Sequence, residues 1–245
     1  VPNPFFHFKK FSVYTHSKGL KVTTDACLLG ALAETQAEPH HILDIGTGSG
    51  VIALMLAQRF ENSQITAIEL IEDVHLQAQE NFNNSVYSDR IIGIHGDYLI
   101  HPFENQFELI VCNPPYFTHR NQSALKEIKQ LEKSIAMHNQ SLNLADLSKK
   151  IAVTLSEKGQ FWVIMPPFEM QSLKTEAANQ GLNVFKEINI YNKVHLLHRQ
   201  IIAFAFEKTS LTLIDFTIQD KKGYTDDFRR LMRDFYLENT ENYKR

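Results

Sequence analysis

Apolar positions along this sequence recur in two rhythms that alternate. Short apolar runs of strand length occupy 41–44, Gln64–Glu69, Ile91–His95 and Phe107–Cys112. Between them, 50–58 and 72–84 have helical spacing, the second with Val74, Ala78 and Phe82 four residues apart on one stripe. Strand, helix, strand, helix in this order predicts a parallel sheet with helices on both faces. After Tyr116 the texture changes. Residues 118–140 are polar, carry Arg120, Lys126, Lys129, Lys133 and His138, and predict a long functional loop. Leu144, Leu147, Ile151 and Leu155 then mark an amphipathic helix, 160–165 a strand, and 168–180 a helix that Gly181 caps. The stretches 183–190 and 199–206 predict a closing strand pair. A last helix is expected over 225–237, with Phe228, Leu231, Met232, Phe235 and Tyr236 on one side.

Composition narrows the class. The chain has 245 residues, 43% hydrophobic and 22% charged, enough to build one sizeable core. No apolar run approaches the roughly 20 residues that span a bilayer. The first residues lack the basic flank and apolar stretch of a signal peptide, so a cytoplasmic location is expected. Two cysteines, Cys27 and Cys112, without paired spacing argue against a disulfide framework or a cysteine zinc site. The histidines show no shared ligand spacing, and no metal is expected. No membrane contact and no obligate protein partner are expected either. A net charge of −3 requires any nucleic-acid contact to come from local basic clusters.

The first chemical motif is Asp44-Ile45-Gly46-Thr47-Gly48-Ser49-Gly50, leaving a strand and opening a helix. Glycines there let the backbone turn tightly and approach a ligand. Open α/β sheets bind ligands at this edge. The next acid at a strand end, Glu69, stands near the roughly 20-residue spacing of a ribose-binding carboxylate. The glycines do not follow the G-x-G-x-x-G dinucleotide fingerprint. Asp44, packed before the turn, would repel a pyrophosphate and suits a cationic amino group such as that of S-adenosylmethionine. Asp44, Gly46, Thr47, Gly48, Gly50 and Glu69 are therefore candidate cofactor residues. Asp97 after the third strand would accept from the adenine amino group, with Tyr98 or Leu70 against the ring.

The second motif, Asn113-Pro114-Pro115-Tyr116, follows the fourth strand directly. Its prolines carry no backbone N–H, so the turn presents acceptors: the Asn113 side-chain oxygen and the Pro114 carbonyl. These match a planar NH₂ group, and Tyr116 offers a π-face for a flat substrate. Drawing on both amine hydrogens returns electron density to a delocalised nitrogen, so positioning and electrostatics supply the rate without a strong base. Asn113, Pro114, Pro115 and Tyr116 are the candidate catalytic residues, with Asn113 also beside the cofactor.

The two motifs together resemble class I methyltransferases acting on exocyclic or amide nitrogens. More closely, the chain is similar to the bacterial tRNA (adenine-N(6)) methyltransferase family that modifies the adenosine beside the anticodon of a valine tRNA. The stretches Phe8-Lys9-Lys10-Phe11, Leu20 through Gly30, and Tyr224-Thr225-Asp226-Asp227-Phe228 with Phe235-Tyr236-Leu237 carry that likeness to both ends. The resemblance implies an α/β Rossmann-like fold with a seven-stranded, mostly parallel sheet whose last strand is antiparallel. It implies a single methyltransferase domain over 1–245, with residues 1–39 an extension over the cofactor site, 118–140 a substrate loop and 225–237 a terminal helix. By carry-over Lys21, Thr24 and Asp25 lie over the methionine end of the cofactor, and the acceptor is a tRNA adenosine.

Two other activities share the planar-amine chemistry. A protein-glutamine amide methyltransferase carries a helical domain ahead of the cofactor strand, and too few residues precede Asp44 here for one. A ribosomal RNA guanine 2-amino methyltransferase often has Phe at the position of Tyr116. Candidate phosphate contacts are His7, Lys9 and Lys10; Arg120, Lys126 and Lys129; and Lys193, His195, His198 and Arg199. The amino-terminal cluster is favoured, on the expectation that it shares the rim of the cofactor site. Calorimetry is expected to show that S-adenosylhomocysteine binds and NAD does not; NAD binding with S-adenosylhomocysteine silent overturns the cofactor assignment.

Overall fold

A computed structural model describes residues 4–15, 20–114, 143–193 and 196–237. Pro115, Tyr116, the 118–140 loop and His195 lie outside them. The central sheet contains β3 (His41–Ile45), β4 (Gln64–Glu69), β5 (Ile91–His95), β6 (Phe107–Cys112), β7 (Leu155–Met165), β8 (Asn183–Lys193), β9 (Leu196–Ala205) and β10 (Thr212–Thr217). Its order is β10-β8-β9-β7-β6-β3-β4-β5. All neighbours run parallel except β9, which is antiparallel to both β7 and β8. Two small antiparallel pairs stand apart: β1 (Phe5–His7) with β2 (Ser12–Tyr14), and β11 (Gln219–Asp220) with β12 (Gly223–Tyr224).

Residues alternate along the strands between two cores. Ile42 packs in one with α1 (Thr24–Leu32), α2 (Val51–Arg59), Ala78 and Phe82 of α3 (Glu72–Asn83), and α6 (Asp226–Met232). Leu43 and Ile45 pack in the other with α4 (Leu144–Thr154) and α5 (Pro167–Asn179). Both cysteines are buried small core residues. Among the described residues, no helix is long and apolar enough to cross a membrane, and no cluster of His, Cys, Asp and Glu could hold a metal.

Among the described residues the sheet has eight strands, where seven are expected. The additional strand, β10, is an edge strand whose Leu213 is 64% exposed. Such a strand has no fully buried face, so its sequence lacks a clean alternation of apolar and polar positions. The last helix is shorter than expected. Thr225 caps it by accepting from the Phe228 amide at 3.2 Å, but it stops at Met232. Beyond that point Tyr236 bridges to Phe8, and the Phe235 carbonyl accepts from the Lys9 amide at 2.8 Å. Tertiary pairing with the amino-terminal hairpin replaces helical continuation there.

Two polar side chains of α3 hold that hairpin. Asn81 of α3 accepts from the Tyr14 amide at 2.7 Å and donates to the carbonyls of Tyr14 (3.0 Å) and Ser49 (2.9 Å). One turn earlier, Gln77 donates to Tyr14 (3.1 Å) and Leu20 (3.3 Å). Both residues are buried on the helix's packed face. Asn81→Leu would remove three hydrogen bonds, with Gln77 still donating to the Tyr14 carbonyl, and urea denaturation is expected to show a loss of about 3 kcal/mol, roughly 1 for each bond. A loss below about 1 kcal/mol would remove the clasp from the stability account.

Candidate active site

Every strand that carries a sequence-predicted cofactor or acceptor residue ends at the same edge of the sheet. Gly46 to Gly50 follow β3, Glu69 closes β4, Asp97 follows β5, and Asn113-Pro114 follow β6. The glycine turn has φ of 66° at Gly46, 59° at Gly48 and 82° at Gly50, all left-handed. At Gly50 a Cβ would also meet the Phe82 ring at 2.4 Å, so an α-carbon hydrogen is required for packing as well as conformation. Around a Cβ position at Gly46 there is no other atom within 4 Å. The turn is thus packed from beneath at Gly50 and open at Gly46, as a ligand cradle needs to be.

Two buried carboxylates hold this turn. Asp44 is fully buried and accepts from the Thr47 hydroxyl at 2.6 Å, while its other oxygen has no hydrogen-bond partner. Burial pushes its pKa up to about 7 against the hydrogen bond from Thr47, and the neighbouring charge of Glu69 adds to the rise. Glu69 accepts from the Gly48 amide at 3.1 Å and from the Ile71 amide at 3.0 Å. Its own pKa is raised by burial, with the backbone hydrogen bonds opposing. A carboxylate offers about four acceptor positions, so both backbone bonds leave capacity for ribose hydroxyls.

Other expected residues fall around these. Asp97 accepts from the Leu99 amide at 2.9 Å, a turn-forming bond that uses one of its oxygens. It also borders an open groove of about 530 Å³ shared with Leu99, Ile100 and Lys149. Of the two apolar candidates beside it, Tyr98 is buried in the core with its hydroxyl donating to Thr154 at 3.3 Å. Leu70, 43% exposed, is the one that presents a surface at this edge. Asn113 is half-buried and Pro114 buried at the end of β6. Lys21 is exposed and Thr24 half-buried. A Cβ at Gly48 would touch Leu20 at 3.2 Å, which puts the start of the 20–25 segment directly on the cofactor turn. Asp25 pairs with Arg199 at 2.7 Å.

The basic clusters separate. Lys9 and Lys10 are exposed on the hairpin turn, which is anchored to Phe235 and Tyr236. Lys193 ends β8 at the edge that also carries Asn113. Arg199 is engaged with Asp25, and Arg120, Lys126 and Lys129 lie outside the described residues. Sequence reasoning missed Gln77, Asn81 and the partner of Asp25. The first two had a signal: polar residues i, i+4 inside an apolar helical stripe.

A mostly parallel sheet with one reversed strand near its end, a glycine turn after its first strand and an acid at the end of the next define a Rossmann-like, class I methyltransferase. Solved structures share this fold. A predicted O-methyltransferase from Agrobacterium tumefaciens superposes with a TM-score of 0.67 over 86% of this chain and 96% of its own, at 17% identity. A methyltransferase from Pyrococcus furiosus gives 0.56 over 81% and 90%, at 21% identity. The family model for the methyltransferase small domain matches residues 12–191. The proteins named tRNA1(Val) (adenine(37)-N6)-methyltransferase are similar along nearly the whole length. That of Bacteroides thetaiotaomicron is 35% identical over 97% of this chain and 99% of its own. That of Pedobacter heparinus is 36% identical over 95% and 97%. The chain belongs to this tRNA methyltransferase family, within the methyltransferase small domain group, and its cofactor is S-adenosylmethionine.

The residues fit that cofactor: an orphaned buried carboxylate oxygen at Asp44, an open cradle at Gly46 and spare acceptor capacity at Glu69. Titration of Asp44 gives a test. Its folded-state pKa is raised, so the stability it contributes is complete below about pH 4 and is lost as pH rises through about 7. A ligand ammonium favours the ionised form. Affinity for S-adenosylhomocysteine is therefore expected to rise about tenfold from pH 6 to pH 8, and Asp44→Asn to flatten that rise. Calorimetry across this range checks it; an equal slope in the variant assigns the titration to another group.

Proposed function

We propose that this protein transfers a methyl group from S-adenosylmethionine to the 6-amino group of adenosine 37 in the valine tRNA that its relatives' names specify, a reaction of the cytoplasm. The observation that carries the reading is the position of Asn113-Pro114. They close β6, next to β3 in the sheet, and so stand beside the glycine turn that follows β3. The bound cofactor supplies an electrophilic methyl on a sulfonium. This chain's residues supply the rest. The Asn113 side-chain oxygen and the Pro114 carbonyl accept the two amine hydrogens, which orients the nitrogen lone pair and restores its electron density. Pro115 and Tyr116 lie outside the described residues; the sequence motif alone assigns them a stiffening role and an aromatic face for the adenine. Asp44 takes the cofactor's cationic end, Glu69 the ribose hydroxyls and Asp97 the adenine amino group, with Leu70 against the ring. Lys21 and Thr24 close over the methionine end.

An anticodon-loop base must leave its stack to reach Asn113, at a cost of a few kcal/mol. Phosphate contacts offset that cost and set the register of the loop. Lys193, on the acceptor edge, is better placed for this than Lys9 and Lys10, whose turn is tied to the carboxyl-terminal segment.

Asn113→Ala tests the acceptor role. With tritiated cofactor and a valine tRNA transcript, methyl transfer is expected to fall at least about 100-fold, because the lost interaction matures in the transition state. Cofactor affinity is expected to stay within about tenfold. Near-normal turnover removes Asn113 from the chemistry.

A further inference from the structure

The ion pair between Asp25 and Arg199 joins two parts of the cleft that no local interaction connects. Arg199 Nε donates to Asp25 Oδ2 at 2.7 Å, and the two side chains are only 20% and 15% exposed. Arg199 is oriented from its own strand, since a second guanidinium nitrogen donates to the His198 carbonyl at 2.9 Å. Asp25 sits in the first turn of α1, where a negative charge is favoured by the helix dipole, and Thr23 caps that turn by accepting from Ala26 at 3.2 Å.

The sheet order gives this pair its leverage. Leu20 lies on Gly48, after β3, while Asp25 lies on Arg199, in β9. Between β3 and β9 stand β6, which leads into Asn113, and β7. Three strand spacings are roughly 14 Å. Segment 20–25, whose last two residues open α1, therefore bridges the strand ends as a strap, with the Leu20 side chain on the cofactor turn at one end and Arg199 reaching Asp25 at the other. Gln77 holds the first end through the Leu20 carbonyl at 3.3 Å. The second end is held by the ion pair.

We propose that Arg199 is a positioning residue: through Asp25 it fixes the 20–25 strap over the cleft, so that Lys21 and Thr24 meet the cofactor. This rests on the methyltransferase reading of the cleft. In it, Asp25 acts through Arg199 and not as a separate ligand for the cofactor's ammonium. The two roles predict opposite signs. If Asp25 bound the ammonium itself, removing the competing guanidinium would strengthen cofactor binding. If the pair anchors the strap, removing either partner weakens it.

Calorimetry with S-adenosylhomocysteine on the full chain separates them. Arg199→Gln and Asp25→Asn are each expected to weaken binding about tenfold, the effect of one partly buried charge-assisted hydrogen bond. Arg199→Lys is expected to recover to within about threefold, and the double variant to bind no worse than the weaker single, since both remove one interaction. Tighter binding by Arg199→Gln, losses that multiply in the double variant, or a lowered thermal midpoint with unchanged affinity each overturn the proposal. So does a raised KM for tRNA at unchanged cofactor affinity, which makes Arg199 a phosphate contact. The binding arms need no acceptor. A protein that binds S-adenosylhomocysteine with this pattern yet methylates no tRNA fails the functional reading while keeping the strap.

Discussion

Between β3 and α2 the chain reverses through Gly46, Gly48 and Gly50, three left-handed residues in five, and the active-site edge is built outward from that reversal. An L-residue at such a backbone conformation costs roughly 1–2 kcal/mol. The glycines avoid that cost, but at those three positions they leave no side chain to hold the turn. Its rigidity is imported. Asp44 fixes Thr47 from below, Glu69 fixes the Gly48 amide from the neighbouring strand, and the Phe82 ring closes against Gly50. A bare backbone surface results, shaped for a ligand yet stiff enough to hold one.

The same supports set the electrostatics. Asp44 and Glu69 are buried acids whose pKa values burial raises. Each meets backbone or hydroxyl donors in place of a protein cation, and so stays available to a cationic, hydroxyl-bearing ligand. In the proposed reading such a site discriminates by charge: a pyrophosphate would meet carboxylates, whereas a methionine ammonium would meet its counter-charge. In the same reading the acceptor side works with oxygens: Pro114 carries no N–H, and Asn113-Pro114 turns two acceptor oxygens toward an amine. The glycine turn and Asn113-Pro114 follow adjacent strands.

The amino-terminal residues connect these turns to the rest of the molecule. Asn81 binds the hairpin and the glycine turn with one amide, and Asp25 carries the following segment to β9. The hairpin's other end is held by Phe235 and Tyr236 from beyond α6. The first and last described segments therefore pack onto the layer of helices that supports the cofactor turn.

What the sequence by itself determined was whatever is local or periodic. The β3-to-β6 run of strands and helices was legible to within a residue or so at each boundary, because apolar period and turn chemistry act over a few positions. The glycine turn, Glu69, and Asn113-Pro114 were legible because each sits where a strand must end. Tertiary structure decided the rest. The eighth strand, β10, was invisible because an edge strand need not bury a face. Tyr98 could not be assigned to core or ligand, since that depends on whether Thr154, 56 residues away, stands behind it. Thr225 foretold where the last helix begins, but its end depended on Phe8. Asp25 was assigned to the cofactor by likeness alone, and only folding brought it to Arg199, 174 residues further along the chain. Side-chain pairing at that range leaves no trace in local pattern. It is fixed by the order in which strands stack, which the sum of all the packing contacts selects and no single segment encodes.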